Sequence, residues 1–359
     1  MSEVSERLPT VDPVSPPVVL EPSPMLSRAG AVAGEGVDAA VAAHYGNPMR
    51  EQRLLVEGLA AVDLSHRGVV TITGPDRLSW LHSMTTQMLT GLAPRTSAET
   101  LVLSPRGHIE HDLHLVDDGQ ATWVTVEPGT AGALVAWLES MRFMLRVEVL
   151  DVSADYAVIG EPVRAEASAG EPLAWTDPWP LLVGDTAAYS TVADLARHPG
   201  SQRPWRELIV RRHELQAALG DRPLAGMWAA EALRVAAWRP RLGFETDQRT
   251  IPHEVDWLRT AVHLHKGCYR GQETVARVHN LGRPPRRLVF LHLDGSGHIL
   301  PGQGAEVEAA GRVVGRLTSV ARHHELGPIA LAVIKRNTPL DAVCTAAGVS
   351  ASQEEIVPS

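Results

Sequence analysis

Lys266-Gly267-Cys268-Tyr269-Arg270-Gly271-Gln272-Glu273 is the stretch from which the rest of the chain is read. It places one of only two cysteines between a lysine and an aromatic residue, with a glycine on each side of the Cys-Tyr-Arg core. Thr274-Val275-Ala276-Arg277 follows and reads as a helix start. A thiol just ahead of a helix N-terminus, two residues after a lysine, sits in positive potential, which favours the nucleophilic thiolate. Glycines at such a bend admit positive φ and close approach of a ligand. Lysine and arginine beside it favour anionic ligands. The same eight residues also read as a small-residue turn followed by a solvated helix face, since most cysteines are structural.

Bulk properties narrow the classes. A chain of 359 residues is too long for one ordinary core and predicts two or three domains. Its net charge of −9 argues against a general nucleic-acid clamp. Cys268 and Cys344 are too few for a disulfide framework or a four-cysteine metal site. No apolar run reaches membrane-spanning length, and the N-terminus lacks the basic and apolar regions of a secretory signal. The expected location is cytoplasmic.

Along the chain, residues 1–36 are rich in Pro, Ser and Val and read as a disordered tail; 351–359 reads as a second, frayed one. Between them, 37–44 and 48–60 read as helices, the second opened by Pro48. Gly68–Thr73, Thr100–Leu103, Ile109–Val116 and Thr122–Val126 alternate as strands, with a hairpin turn at Asp117-Asp118-Gly119. A helix is predicted from Pro75 through Trp80 and Leu81, another over Thr130–Met141, and strands at 146–150 and 156–159. Residues 161–190, with Trp175 and Trp179, read as a loop packed on itself; 192–197, 206–219 and 224–237 read as helices, and 241–260 as a structured loop. After Pro284-Pro285 the pattern turns to β, predicting a small C-terminal barrel over 284–350. The fold class is α+β, with helices on one face of a sheet.

Lys-Gly-Cys-Tyr-x-Gly-Gln-Glu followed by Val-Ala-Arg resembles the signature of the YgfZ family, folate-binding relatives of the glycine-cleavage aminomethyltransferase (T-protein). Other segments agree in order: Gly74-Pro75-Asp76-Arg77 with Trp80-Leu81-His82, the strand pair Leu101 to Ile109 around Ser104-Pro105-Arg106-Gly107, then Leu233-Arg234-Val235-Ala236-Ala237, Ile251-Pro252-His253-Glu254 and Gly315-Arg316-Leu317-Thr318-Ser319. The resemblance runs from about Arg50 to Ala346. It implies a three-domain aminomethyltransferase-like fold, with two intertwined α+β domains over 37–283. It implies tetrahydrofolate or a one-carbon derivative as ligand, and iron–sulfur proteins or their assembly factors as partners. The family's link to tRNA modification finds no support in so acidic a chain.

Candidate site residues follow from the resemblance. Cys268 is the reactive thiol. Asp112 stands in the strand whose aspartate faces the folate nitrogen in aminomethyltransferases, where it would relay a proton or stabilise an iminium; Glu110 and His114 share its face. A solvated strand face is the competing reading. Arg234 remains from the family's Leu-Arg segment, Lys266 and Arg277 would steer anionic groups, Tyr269 would pack at the ligand mouth, and Gln272 and Glu273 would fix the turn. Two departures stand out: Ala236 replaces the glutamate that binds the pterin, and Trp238 replaces a glycine. An unpaired polar edge costs roughly 1–3 kcal/mol, so the pocket must be reshaped, with Trp238 as a stacking face or Glu245 or Glu254 as the stand-in acid. His263-x-His265-x-x-Cys268 is short of the closed ligand set that zinc prefers, and no metal site is expected. A bound iron–sulfur cluster would need more thiolates. Two other functions fit parts of the pattern: a true aminomethyltransferase, against which the cysteine signature argues, and a non-catalytic docking scaffold.

Overall fold

The computed structural model describes residues 20–163, 172–192, 194–297 and 299–359. Its frame is two five-stranded sheets and a barrel. The first sheet is antiparallel, in the order Ser97–Leu103, Ile109–Asp117, Ala121–Val126, Gly68–Thr73, Glu148–Asp151. Helices Arg77–Met84 and Ala131–Met141 cover one face of it, burying Trp80, Leu81, Leu134 and Leu138 against Val70, Ile72, Leu113, Leu115 and Val124. Each fully buried Leu or Ile contributes roughly 1.5–3 kcal/mol through lost contact with water. Strand alternation sends Leu113 and Leu115 to the helices and Asp112 and His114 to the opposite face.

The second sheet runs Leu173–Thr176, Trp205–Arg211, Tyr156–Pro162, Ala61–Asp63, Leu224–Ala225, and its last pairing is parallel. Helices Pro48–Val56 and Met227–Ala236 lie with it. The C-terminal barrel is closed by six strands in the order Arg286–Leu293, Gly327–Lys335, Arg312–His323, Glu306–Ala309, Cys344–Ala346, Val349–Glu355. Helix Met227–Ala236 also packs on the barrel strands Arg312–His323 and Gly327–Lys335, so it joins the second sheet to the barrel.

The structure departs from the sequence reading in five places. Residues 1–19 of the expected N-terminal tail lie outside the described residues, but from Leu20 on the tail is built into the fold. Pro24 opens a 3-10 turn, because proline suits a first helical position even though it breaks helix interiors. Met25 is buried among Ala61, Ile159 and Leu208, and the Ser23 hydroxyl donates to Asp63. Residues 37–44 form a 3-10 turn and the short strand Ala42–His44 rather than a helix. Within the expected loop 161–190, Leu173–Thr176 is a strand; the Trp175 indole donates to Ala98 O, and the Trp179 indole to Ala237 O, so both rings plug interfaces. Residues 206–219 split into the strand Trp205–Arg211 and the short helix Leu215–Leu219. The C-terminal residues pair as the last barrel strand, and Ile356 and Val357 are buried beyond it.

Candidate functional site

The signature turn and the Ser104–Gly107 turn are built against each other. Gly271 caps helix Gln272–Leu281 at φ +83°, and a Cβ there would lie 2.6 Å from Ser104 O. Gly107, at φ +78°, has Thr274 Cβ 2.7 Å from where its own Cβ would be. Only glycine at both positions permits this nesting. Arg270 reaches across to Glu110 at 2.9 Å and lies over the Trp137 ring. Glu110 is therefore exposed and paired at the turn, apart from Asp112 and His114.

The residues of the signature divide by direction. Cys268 is exposed. Lys266 points inward: its ammonium donates to the carbonyls of His82, Thr85 (2.6 Å) and Gln87 (2.9 Å), closing the end of helix Arg77–Met84. Burial pushes its pKa down to about 7. The expected anion-steering lysine is thus committed to backbone carbonyls. Tyr269 is buried in the central core, which holds its hydroxyl above the usual tyrosine range, so it packs inside rather than at a ligand mouth. Gln272 and Glu273 open the helix, and Glu273 pairs with Arg277 at 2.8 Å on the exposed face.

Asp112 and Arg234 belong to a different place, a charged chamber of about 60 Å³ between the two sheets, large enough for a few waters. Its acids and bases come from seven segments of the chain. Asp112 Oδ2 lies 3.2 Å from His114 Nε2, and His114 Nδ1 lies 3.1 Å from Glu207. Trp175 stacks on the His114 ring at 3.7 Å between centroids. Burial works against the imidazolium, but Glu207 and Asp112 push the His114 pKa up to about 9. Burial likewise opposes Glu207, yet Arg67 and His114 hold its carboxyl far below the usual carboxylate range. Arg239 bridges Glu99 (2.5 Å) and Asp177 (3.2 Å); Arg241 bridges Asp38 (2.7 Å) and Glu127 (2.9 Å).

The two departures at 236 and 238 have separate outcomes. Trp238 takes the left-handed conformation, φ +57°, that glycine would occupy, and this turn throws Arg239 and Arg241 into the chamber. The Trp238 ring itself is buried near Phe290 and His198 and offers no stacking face to the chamber. Ala236 lines a second cavity of about 350 Å³ with Leu233, Pro204, Trp205, His323 and His324. Arg203 and Trp205 line both spaces. Neither stand-in acid is free: Glu245 accepts from Arg234, Arg241 N, Thr318 and Ser319, and Glu254 pairs with Arg286 at 2.8 Å. Among the described residues, the potential metal ligands that converge are Glu99, Asp112 and His114, a set that contains none of His263, His265 and Cys268.

Glu99, Glu207, Arg239 and Arg241 were not picked out from the sequence. Glu99 is the one charged residue of the strand Ser97–Leu103, just ahead of the stretch read as a strand from Thr100; Glu207 was hidden by the helical reading of its segment.

Comparison with known proteins agrees with this architecture. Residues 23–160 match the GCVT N-terminal domain. An Arabidopsis thaliana protein named "Putative transferase At1g60990, chloroplastic" is 26% identical over 287 residues, 73% of this chain; the chain spans 62% of that protein's length. Aminomethyltransferases of Moorella thermoacetica and Streptomyces coelicolor are 27% and 28% identical, over 82% and 81% of this chain and 83% and 82% of theirs. The glycine cleavage system aminomethyltransferase T of Bartonella henselae superposes with a TM-score of 0.71 at 18% identity, covering 93% of this chain and 95% of its own, a likeness of fold. Residues 23–160 thus match a GCVT N-terminal domain, and the chain as a whole has the fold of an aminomethyltransferase T-protein, closed by a six-stranded C-terminal barrel.

Proposed function

We propose that the protein is a folate-binding member of the YgfZ type, acting through Cys268 on iron–sulfur proteins or their assembly factors. The observation that carries this reading is the exposed thiol on a nested glycine turn, set on an aminomethyltransferase-like body. A cavity of about 350 Å³ falls in the range of small-molecule sites and can take a bicyclic pterin. Trp205 and the neighbouring prolines suit its flat faces. The charged chamber beyond Trp205 has room only for something the size of a one-carbon group, next to Asp112. When bound, the folate supplies the one-carbon carrier. Asp112 holds or accepts a proton there, oriented by His114, which is itself fixed between Asp112, Glu207 and the Trp175 ring. Arg239 and Arg241 neutralise the surrounding acids. Cys268, on its exposed turn, is the group placed to meet a protein partner.

A second reading, a true aminomethyltransferase, is favoured by the names of the relatives and by the buried position of Asp112. The two readings separate in one experiment. In cells deleted for the gene, wild-type protein restores iron–sulfur enzyme activity and Cys268→Ala does not. Full rescue by Cys268→Ala, together with turnover of an aminomethyl-lipoyl carrier by the purified protein, would reverse the order of the two.

A further inference from the structure

Glu99 is fully buried in the Ser97–Leu103 strand, directly across the ladder from His114 and two residues from Leu101, the partner of Asp112. Alternation puts Glu99, Asp112 and His114 on one face of the sheet. A carboxylate oxygen of each acid and a ring nitrogen of the histidine all lie within 4.8 Å of one another. Atoms that bind one ion at about 2.1 Å are at most about 4.2 Å apart. The three groups need only draw in slightly to share one.

Three observations beyond the clustering point to a cation. The first is a pair of buried oxygens with no donor. Glu99 Oε1 accepts from Arg239 (2.5 Å) and from the Trp257 indole (2.7 Å), while Glu99 Oε2 has no partner, and neither has Asp112 Oδ1. A buried acceptor left unmade is costly, and one cation serves both. The second is the support behind the histidine. His114 Nδ1 lies 3.1 Å from Glu207, and Thr125 donates to the same Glu207 oxygen at 2.7 Å. A carboxylate at the rear nitrogen orients a metal-binding imidazole and leaves Nε2 to the ion. Here Nε2 lies 3.2 Å from Asp112 Oδ2, the spacing of two adjacent ligands of one ion. The third is charge. Arg239 is shared between Glu99 and Asp177, and Arg67 between Glu127 (3.2 Å) and Glu207 (3.5 Å). Among the described residues Asp112 pairs with His114 and with no arginine.

We propose that Glu99, Asp112 and His114 bind a divalent transition-metal ion, through Glu99 Oε2, a carboxylate oxygen of Asp112 and His114 Nε2. Two carboxylates with one imidazole suit Mn2+, and Fe2+ and Zn2+ compete for the same donors. Entry of the ion sends any proton on Nε2 to solvent, while the Nδ1 proton stays donated to Glu207. Glu99 keeps Arg239 and Trp257 on its other oxygen. Asp112 and His114 line the charged chamber, whose 60 Å³ supplies room for the waters that complete the coordination. The site takes the ion without folate, so it does not rest on the folate reading.

The test is titration of the full chain, stripped with chelator and free of folate, with Mn2+ alone. The six-line paramagnetic resonance signal of free Mn2+ should disappear up to one ion per chain. Glu99→Gln and Asp112→Asn should each bind at least tenfold more weakly. The double variant His263→Ala and His265→Ala, which removes the exposed histidines near Cys268, should bind as wild type does. Crystals of wild type soaked in Mn2+ should show an anomalous-scattering peak between Glu99, Asp112 and His114. No uptake by wild type at millimolar Mn2+, unchanged affinity in folded Glu99→Gln, or no anomalous peak at these three side chains would each overturn the proposal. Uptake and peak are both read on wild type, so they decide the matter even if a variant fails to fold.

Discussion

Arg239→Ala should cost roughly 3–5 kcal/mol of stability, read as a drop in the urea midpoint of unfolding. The reason is what the guanidinium leaves behind. Arg239 is itself buried and is the shared partner of Glu99 and Asp177, both almost without exposure. Replacing a whole buried ion pair by apolar groups is often neutral, but removing one partner leaves the others short of a charge partner where bulk water is excluded. Here Glu99 would keep only the Trp257 indole (2.7 Å) and Asp177 only Arg203 (3.3 Å), while a third acid, Asp112, would lose a nearby positive charge. Arg239→Lys keeps the charge but not the fork that spans two acids, so it should recover only part of the loss. A midpoint for Arg239→Ala within the error of wild type would mean that the chamber is wetter or looser than its geometry implies.

Acidification should destabilise the protein before its carboxylates titrate. Six histidines have folded pKa values pushed below the ordinary 6.5 by burial: His111 and His323 to about 4, His198 and His253 to about 3, with Arg259 and His279 adding to the last two respectively, and His82 and His263 less far. The unfolded chain therefore binds protons that the native state refuses. Their contribution is complete above pH 6.5 and is lost as pH falls toward 4 and 3. His114 has the opposite sign: its folded pKa of about 9 gives stability that is complete below 6.5 and fades as pH rises through 9. Asp256, raised to about 6 by burial, returns some stability as pH drops below 6. The net expectation is a maximum between about pH 6.5 and 8 and a loss on the order of 3–5 kcal/mol by pH 5.5. Thermal melts from pH 8 to 5 check it. A flat profile over that range would show that these imidazoles titrate normally.

Much of the frame was legible because it rests on local pattern. Gly68–Thr73 is a strand at both of its expected ends, and the Asp117-Asp118-Gly119 turn joins the two strands it was expected to join. The barrel strands follow from β-rich runs separated by glycine turns. The failures share a cause: a local signal overruled by a distant partner. Trp205–Arg211 carries a run that leads on toward the helical Leu215–Leu219, and pairing with Leu173–Thr176 on one side and Tyr156–Pro162 on the other makes it a strand. The proline-rich segment around Met25 is ordered because one methionine finds a core. The site divides in the same way. The glycines of the signature announced a tight turn, and the turn is there. The direction of Lys266 depended on three carbonyls some 180 residues earlier, which no spacing within the motif encodes. The chamber was legible only as isolated residues, Asp112 and Arg234, since its charges balance across segments far apart in sequence.

The most direct test of the account is titration calorimetry with tetrahydrofolate on wild type and on Ala236→Trp, a substitution that fills the larger cavity from the end of helix Met227–Ala236. The account predicts saturable one-to-one binding to wild type and at least a tenfold weaker interaction with a folded Ala236→Trp. No heat of binding to wild type at millimolar ligand, or equal affinity in the two proteins, would contradict it.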